Sequence, residues 1–77
     1  MATRAQLTEA VAESLRDFGY PDVTAAMVGE VLDAWNAGKR GLDELPHGVI
    51  GIFCESQFND LERDGIDLVR FAPGEQQ

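Results

Sequence analysis

The sequence is poor in the residues that build chemical sites. It has one Cys, one His and six basic residues against fourteen acidic ones. A lone Cys54 excludes an intrachain disulfide, and His47 as the single imidazole leaves little to hold zinc. The net charge of −8 opposes direct binding to nucleic acid or to an anionic membrane, because phosphate binding needs clustered cations. We therefore expect no metal, no cofactor and a protein partner that is basic or neutral.

Long apolar runs are also missing. No stretch approaches the roughly 18 apolar residues of a membrane span, and residues 1–4 lack the apolar segment of a secretory signal. These absences predict a cytoplasmic protein with no membrane contact. Five Arg against one Lys, with abundant Ala, Gly and Asp, are typical of a GC-rich bacterial or phage genome. A chain of 77 residues forms one domain with a small core, which self-association would supplement.

The first helix is marked at both ends. Thr3 and Gln6 have the spacing of a capping box, in which each side chain bonds the backbone of the other residue. The apolar residues that follow recur every three or four positions, as on one face of a helix, at Leu7, Val11, Leu15 and Phe18. Gly19 and Pro21 then oppose continuation. The pattern predicts a helix over residues 4–18.

A second helix is predicted over residues 25–37. Thr24 can cap its start, and Gly38 follows its end. Its apolar face comprises Val28, Val31, Leu32 and Trp35. A second face carries the small residues Ala25, Ala26 and Gly29, which we interpret as a packing surface. The connector that follows is anchored by Leu42 and Leu45.

The third helix is predicted over residues 47–63. Its apolar residues occupy one broad arc of a helical wheel, at Val49, Ile50, Phe53, Cys54, Phe58 and Leu61. The alternative is a strand over residues 49–54, which are rich in β-branched and aromatic side chains. Residues 66–71 are predicted to be extended, and residues 72–77 to form a disordered tail. The expected fold is therefore all-α, a small three-helix bundle with a short extended C-terminal segment, in one domain over residues 1–71.

No complete catalytic or metal-binding set is recognisable. His47 and Cys54 are seven residues apart, which is about 10 Å along a helix and too far for one to activate the other. Asp60, Glu62 and Asp64 resemble the opening of an EF-hand loop, but Phe71 occupies the twelfth position, where calcium needs a carboxylate. These failures predict a protein that is not an enzyme.

The remaining clues concern surfaces. Glu9, Glu13 and Asp17 follow one another at four-residue spacing and form an acidic stripe. Large apolar residues exceed what three short helices need, and Trp and Phe are common interface anchors. The candidate partner-binding residues are Glu9, Glu13, Asp17, Trp35, Ile52 and Phe58.

Two functions fit these clues. The first is a small non-enzymatic protein-interaction module, an adaptor or inhibitor of a cytoplasmic bacterial protein. Such a module would form a homodimer if the apolar arc of the third helix and residues 66–71 pair with a second copy. The alternative is a phage-type acidic decoy that occupies a nucleic-acid-binding site on a host protein.

Overall fold

The computed structural model describes residues 2–41 and 43–73. It contains three α-helices, α1 (Arg4–Phe18), α2 (Ala25–Asn36) and α3 (Val49–Arg63), followed by a 3-10 helix (Leu68–Phe71). The described residues contain no strand. The predicted three-helix, all-α fold is therefore confirmed, and residues 49–54 are helical. The predicted anchor Leu42 and residues 74–77 of the predicted tail lie outside the described residues.

Capping by local side chains sets the starts of α1 and α2. The Thr3 hydroxyl accepts from the Gln6 backbone at 3.1 Å, and the Gln6 side chain accepts from the Thr3 backbone at 2.9 Å. The Thr24 hydroxyl accepts from the Met27 backbone at 3.2 Å. Both predicted caps are thus present, and they satisfy amides that would otherwise lack a partner.

The third helix starts two residues later than predicted. His47 and Gly48 have φ values of 66° and 56°, which a right-handed helix cannot accommodate. Gly48 therefore caps the helix without a side-chain hydrogen bond, and Val49 is its first residue. The positive φ at Gly48 explains the glycine, since a side chain there would be strained.

The prediction of an extended segment over residues 66–71 was wrong. Leu68–Phe71 forms a 3-10 helix, whose start is capped by the Asp67 side chain accepting from the Val69 backbone at 3.1 Å. In a 3-10 helix residues three apart lie on one face, so Leu68 and Phe71 both enter the core. A strand would have placed Ile66 beside Leu68, but Ile66 is exposed.

The core lies at the centre of the three helices, and the 3-10 helix closes one side of it. Leu45 holds the connector against this core, as predicted. The buried apolar residues are Val11, Ala12, Leu15, Val23, Val28, Val31, Leu32, Trp35, Leu45, Cys54, Phe58, Leu68 and Phe71. Among the described residues, no helix has the length and apolar character needed to cross a lipid bilayer.

Arg4 of α1 bonds both the C-terminal 3-10 helix and α2. Its guanidinium donates to the Phe71 carbonyl at 2.7 Å and to the Gly29 carbonyl at 3.1 Å, and it pairs with Asp33 at 2.9 Å. A Cβ on Gly29 would come within 3.1 Å of this guanidinium. The small-residue face of α2 therefore serves packing at Gly29, as the sequence indicated.

Candidate protein-binding surface

Two of the predicted partner-binding residues belong to the core instead. Phe58 is fully buried and Trp35 is 2% exposed. The Trp35 indole donates to a Glu62 carboxylate oxygen at 3.0 Å, and its ring centroid lies 6.1 Å from that of Phe58. The assignment of Trp35 and Phe58 to a partner surface was wrong, because their neighbours within the chain already cover them.

The acidic stripe of α1 is partly neutralised. Arg16 pairs with Glu9 and also donates to the Val23 carbonyl at 2.8 Å, so this cation is fixed over the first member of the stripe. Glu13 and Asp17 are exposed and form no ion pair with a cation in the described part of the chain. The free negative charge of α1 is therefore concentrated near its C-terminal end.

Much of the acidity at the end of α3 has structural roles. Glu62 accepts from Trp35 and pairs with Arg40 at 3.6 Å, while Asp60 pairs with Arg63 at 2.7 Å. Carboxylates engaged in this way are poor candidates for a cation cage. Within residues 2–41 and 43–73, no group of three or more His, Cys, Asp or Glu side chains is placed to share a metal ion.

Cys54 is sealed inside the bundle. Its side chain is fully buried, and burial raises the pKa of its thiol from the ordinary 9.0 to about 11. A thiol held in its neutral form is a weak nucleophile. This agrees with the interpretation of Cys54 as a small buried apolar residue.

We expect the Cys54 thiol to react slowly with a disulfide reagent in the native protein at about pH 8, and fully within the mixing time after urea is added.

The Cys54 thiol should also make stability depend on pH. Because its pKa is higher in the folded chain, its contribution to stability is complete below pH 9.0 and declines as the pH rises towards about 11. Urea titrations of wild type and Cys54→Ala on both sides of this range measure the decline. An equal decline in the variant would assign it to other groups.

Three of the five exposed large apolar residues of the described chain, Phe18, Val49 and Ile52, lie at the end of α1 and in the first turn of α3. Phe18 is 69% exposed, the largest exposed fraction among the large apolar side chains of residues 2–41 and 43–73, and its ring centroid lies 5.4 Å from that of Phe53. Tyr20 completes a three-ring cluster, with its ring 5.3 Å from Phe53. Val49 is exposed and lies one helical turn before Phe53 on α3, and the exposed Ile52 lies on the adjoining side of the same turn. We call these five residues the apolar patch.

The sequence identified only part of this patch. Ile52 is one of the candidate partner-binding residues named from the sequence, and it is exposed. Phe18 was assigned to the apolar face of α1, because its spacing continues the series of Leu7, Val11 and Leu15. Its position as the last residue of the helix, just before Gly19, was the available signal, since a terminal residue has fewer neighbours in its own fold.

A groove between α1 and α3 continues from the patch. It consists of two adjoining depressions that share Gln57, with volumes of about 340 and 260 Å³. The residues lining this α1/α3 groove are Leu7, Ala10, Val11, Ser14, Leu15, Asp17 and Phe18 of α1 and Phe53, Ser56, Gln57, Asp60 and Leu61 of α3. Small-molecule sites are typically enclosed, whereas these two depressions are open to solvent, so they suit side chains of a partner better.

Small residues keep this groove open. Ala10 and Ser14 lie on the groove side of α1, and Ser56 lies on that side of α3. Larger side chains at these positions would fill the space between the two helices. The floor is apolar, since Val11 and Leu15 belong to the core.

No family model, curated protein or solved structure matches this chain.

Proposed function

We propose that this chain is a small non-catalytic protein-interaction module, an adaptor or inhibitor of a cytoplasmic bacterial protein, which binds through the apolar patch. The observation that carries the proposal is the exposure of Phe18 beside Phe53. Burying one such side chain contributes up to about 2 kcal/mol to association. Aromatic residues at the centre of a contact are common hot spots.

The charge around the patch favours a basic or neutral partner. Asp17 lines the groove beside Phe18, and Asp22 lines a depression beside Tyr20. Neither depression is lined by a described Lys or Arg. An apolar centre with acidic flanks would bind an apolar surface surrounded by cations and would speed the encounter by electrostatic attraction.

We expect Phe18→Ser to abolish capture of the partner from a lysate of the source cells by the immobilised protein. Val69→Ser is the matched control, because Val69 is also an exposed apolar residue, 58% exposed, but lies on the 3-10 helix. Neither change alters the charge. Circular dichroism should show equal helix content in both variants. The protein captured by wild type should be identified by mass spectrometry, retained by Val69→Ser and lost with Phe18→Ser.

Unchanged capture by Phe18→Ser would remove the apolar patch as the contact. The acidic decoy, the alternative function, makes the opposite prediction. Reversing the charges of Glu9, Glu13 and Asp17 should then abolish capture, nucleic acid should compete for the same partner, and Phe18→Ser should have little effect. The two functions are therefore separated by which variant loses the partner.

A further inference from the structure

We infer that the α1/α3 groove binds a single basic amphipathic helix of the partner, which packs as a fourth helix against α1 and α3. This inference rests on the proposed function and names the partner's chemistry. It is carried by the shape of the groove and by the signs of the charges along it.

The two helices that form the groove run antiparallel. Phe18 near the end of α1 meets Phe53 near the start of α3, whereas Leu7 near the start of α1 shares a depression with Leu61 near the end of α3. The eleven-residue step from Leu7 to Phe18 gives the groove a length of about 16 Å, or three helical turns. A seam of that length between two antiparallel helices is where a further helix packs in a four-helix bundle.

A helix suits this chain better than an extended peptide does. An extended peptide binds by adding to the edge of a sheet, and the described residues contain no strand to extend. Strand addition is therefore excluded for the described residues, and recognition by side chains that enter the groove is favoured. A helix delivers apolar side chains on one face at a spacing of three and four residues, which fits two depressions in line.

The charges along the groove are acidic at both ends. Asp17 lies at the Phe18 end, and Asp60 lies beside Leu61 at the other. No described Lys or Arg lines the groove, and Arg63 at its edge is paired with Asp60. Asp17 forms no ion pair with a cation in the described part of the chain, so a helix with Lys or Arg beside its apolar stripe would place an opposite charge against that carboxylate.

A second copy of the chain is a poorer occupant for the same reason. Each copy carries a net charge of −8, and a second groove would offer no cation to Asp17, since no described Lys or Arg lines the groove. Like charges placed opposite one another across an interface oppose association. The groove is therefore assigned to a basic segment of another protein.

The test uses three synthetic peptides of about 15 residues, enough to span the groove as a helix. The first carries a Leu stripe at helical spacing with Lys on the remaining positions. The second has the same stripe with Glu in place of Lys. The third has the composition of the first in scrambled order, so that no apolar face forms. Calorimetry measures affinity, and amide chemical shifts of the labelled protein locate the bound peptide.

We expect the Lys peptide to bind at least about tenfold more tightly than either of the others at low salt, with a smaller margin over the Glu peptide at high salt. The shifts should concentrate at groove residues such as Ala10, Ser14 and Gln57. Ser14→Arg, which puts a bulky cation into the groove, should weaken binding at least about tenfold. The matched variant Ala26→Arg adds the same charge at an exposed site on α2 and should bind as wild type does.

Several outcomes would overturn the inference. Equal binding of the three peptides, or shifts confined to other surfaces, would exclude a basic helix in the groove. A dimer in light scattering that Ser14→Arg converts to a monomer would assign the groove to a second copy. If capture of the partner depends on Phe18 but the Lys peptide does not bind, the inferred basic helix in the groove is wrong and the proposed function stands. If the peptide binds the groove and capture is independent of Phe18, the proposed function fails.

Discussion

Phe58→Ala should destabilise the protein by about 3–5 kcal/mol, the usual cost of removing a buried Phe side chain. Phe58 is fully buried, and its ring packs 6.1 Å from that of Trp35 at the centre of the bundle. A domain of this size has a total stability of roughly 4–12 kcal/mol, so the loss is a large fraction of the whole. Urea denaturation followed by Trp35 fluorescence and by circular dichroism measures it.

Phe18→Ala is the control for that measurement, because it makes the same chemical change at a ring that is 69% exposed. We expect it to shift the unfolding free energy by less than about 1 kcal/mol, as surface substitutions usually do. The two variants thus compare the stability lost on removing a buried Phe ring with that lost on removing an exposed one. Equal losses in the two variants would contradict the burial that the structure assigns to Phe58.

Gly51→Ala should also destabilise the fold, although alanine is the better helix former. A Cβ at Gly51 would lie 2.4 Å from the Pro46 carbonyl oxygen and 3.1 Å from the Leu45 Cβ. Gly51 is the third residue of α3, so its replacement gains less helix propensity than the roughly 1 kcal/mol of a mid-helix Gly. Overpacking costs about 1–3 kcal/mol, and a backbone oxygen cannot rotate away as a flexible side chain can. We expect the cost of the clash to exceed the gain in helix propensity, so that Gly51→Ala lowers the free energy of unfolding by about 1–2 kcal/mol.

The connector provides the matched control. Gly41 has no neighbouring atom within 4 Å of the position a Cβ would occupy. Gly41→Ala should leave stability unchanged or raise it by a few tenths of a kcal/mol, about the effect of a stiffer unfolded chain. Thermal unfolding of both variants gives the comparison. A Gly51→Ala protein that melts above wild type would show that residues 45–46 move away from α3 at little cost.

The two caps show how much of the fold follows from local sequence. The hydroxyls of Thr3 and Thr24 bond amides three residues ahead, within a reach that needs no tertiary contact. The starts of α1 and α2 were therefore predictable to the residue. The start of α3 was not, because it depends on the positive φ of His47 and Gly48, which the closing of the connector imposes.

The surface was predictable only in part. Ile52 falls outside the apolar arc of α3, and a helical wheel is enough to show that. The α1/α3 groove depends on two helices that are distant in sequence, since α1 ends at Phe18 and α3 begins at Val49. Spacing along the chain says which residues share a face of one helix, but not which helix that face meets.

The sequence by itself determined the three helices, their approximate limits and the acidity of their outer faces, because capping, periodicity and charge act over a few residues. Tertiary structure decided which of two phenylalanines is buried and whether residues 68–71 form a strand or a 3-10 helix. Phe18 and Phe58 both continue an apolar helical stripe, yet one is 69% exposed and the other fully buried. The difference arises because burial is set by the atoms that neighbouring elements bring to a side chain, and those neighbours are distant in sequence.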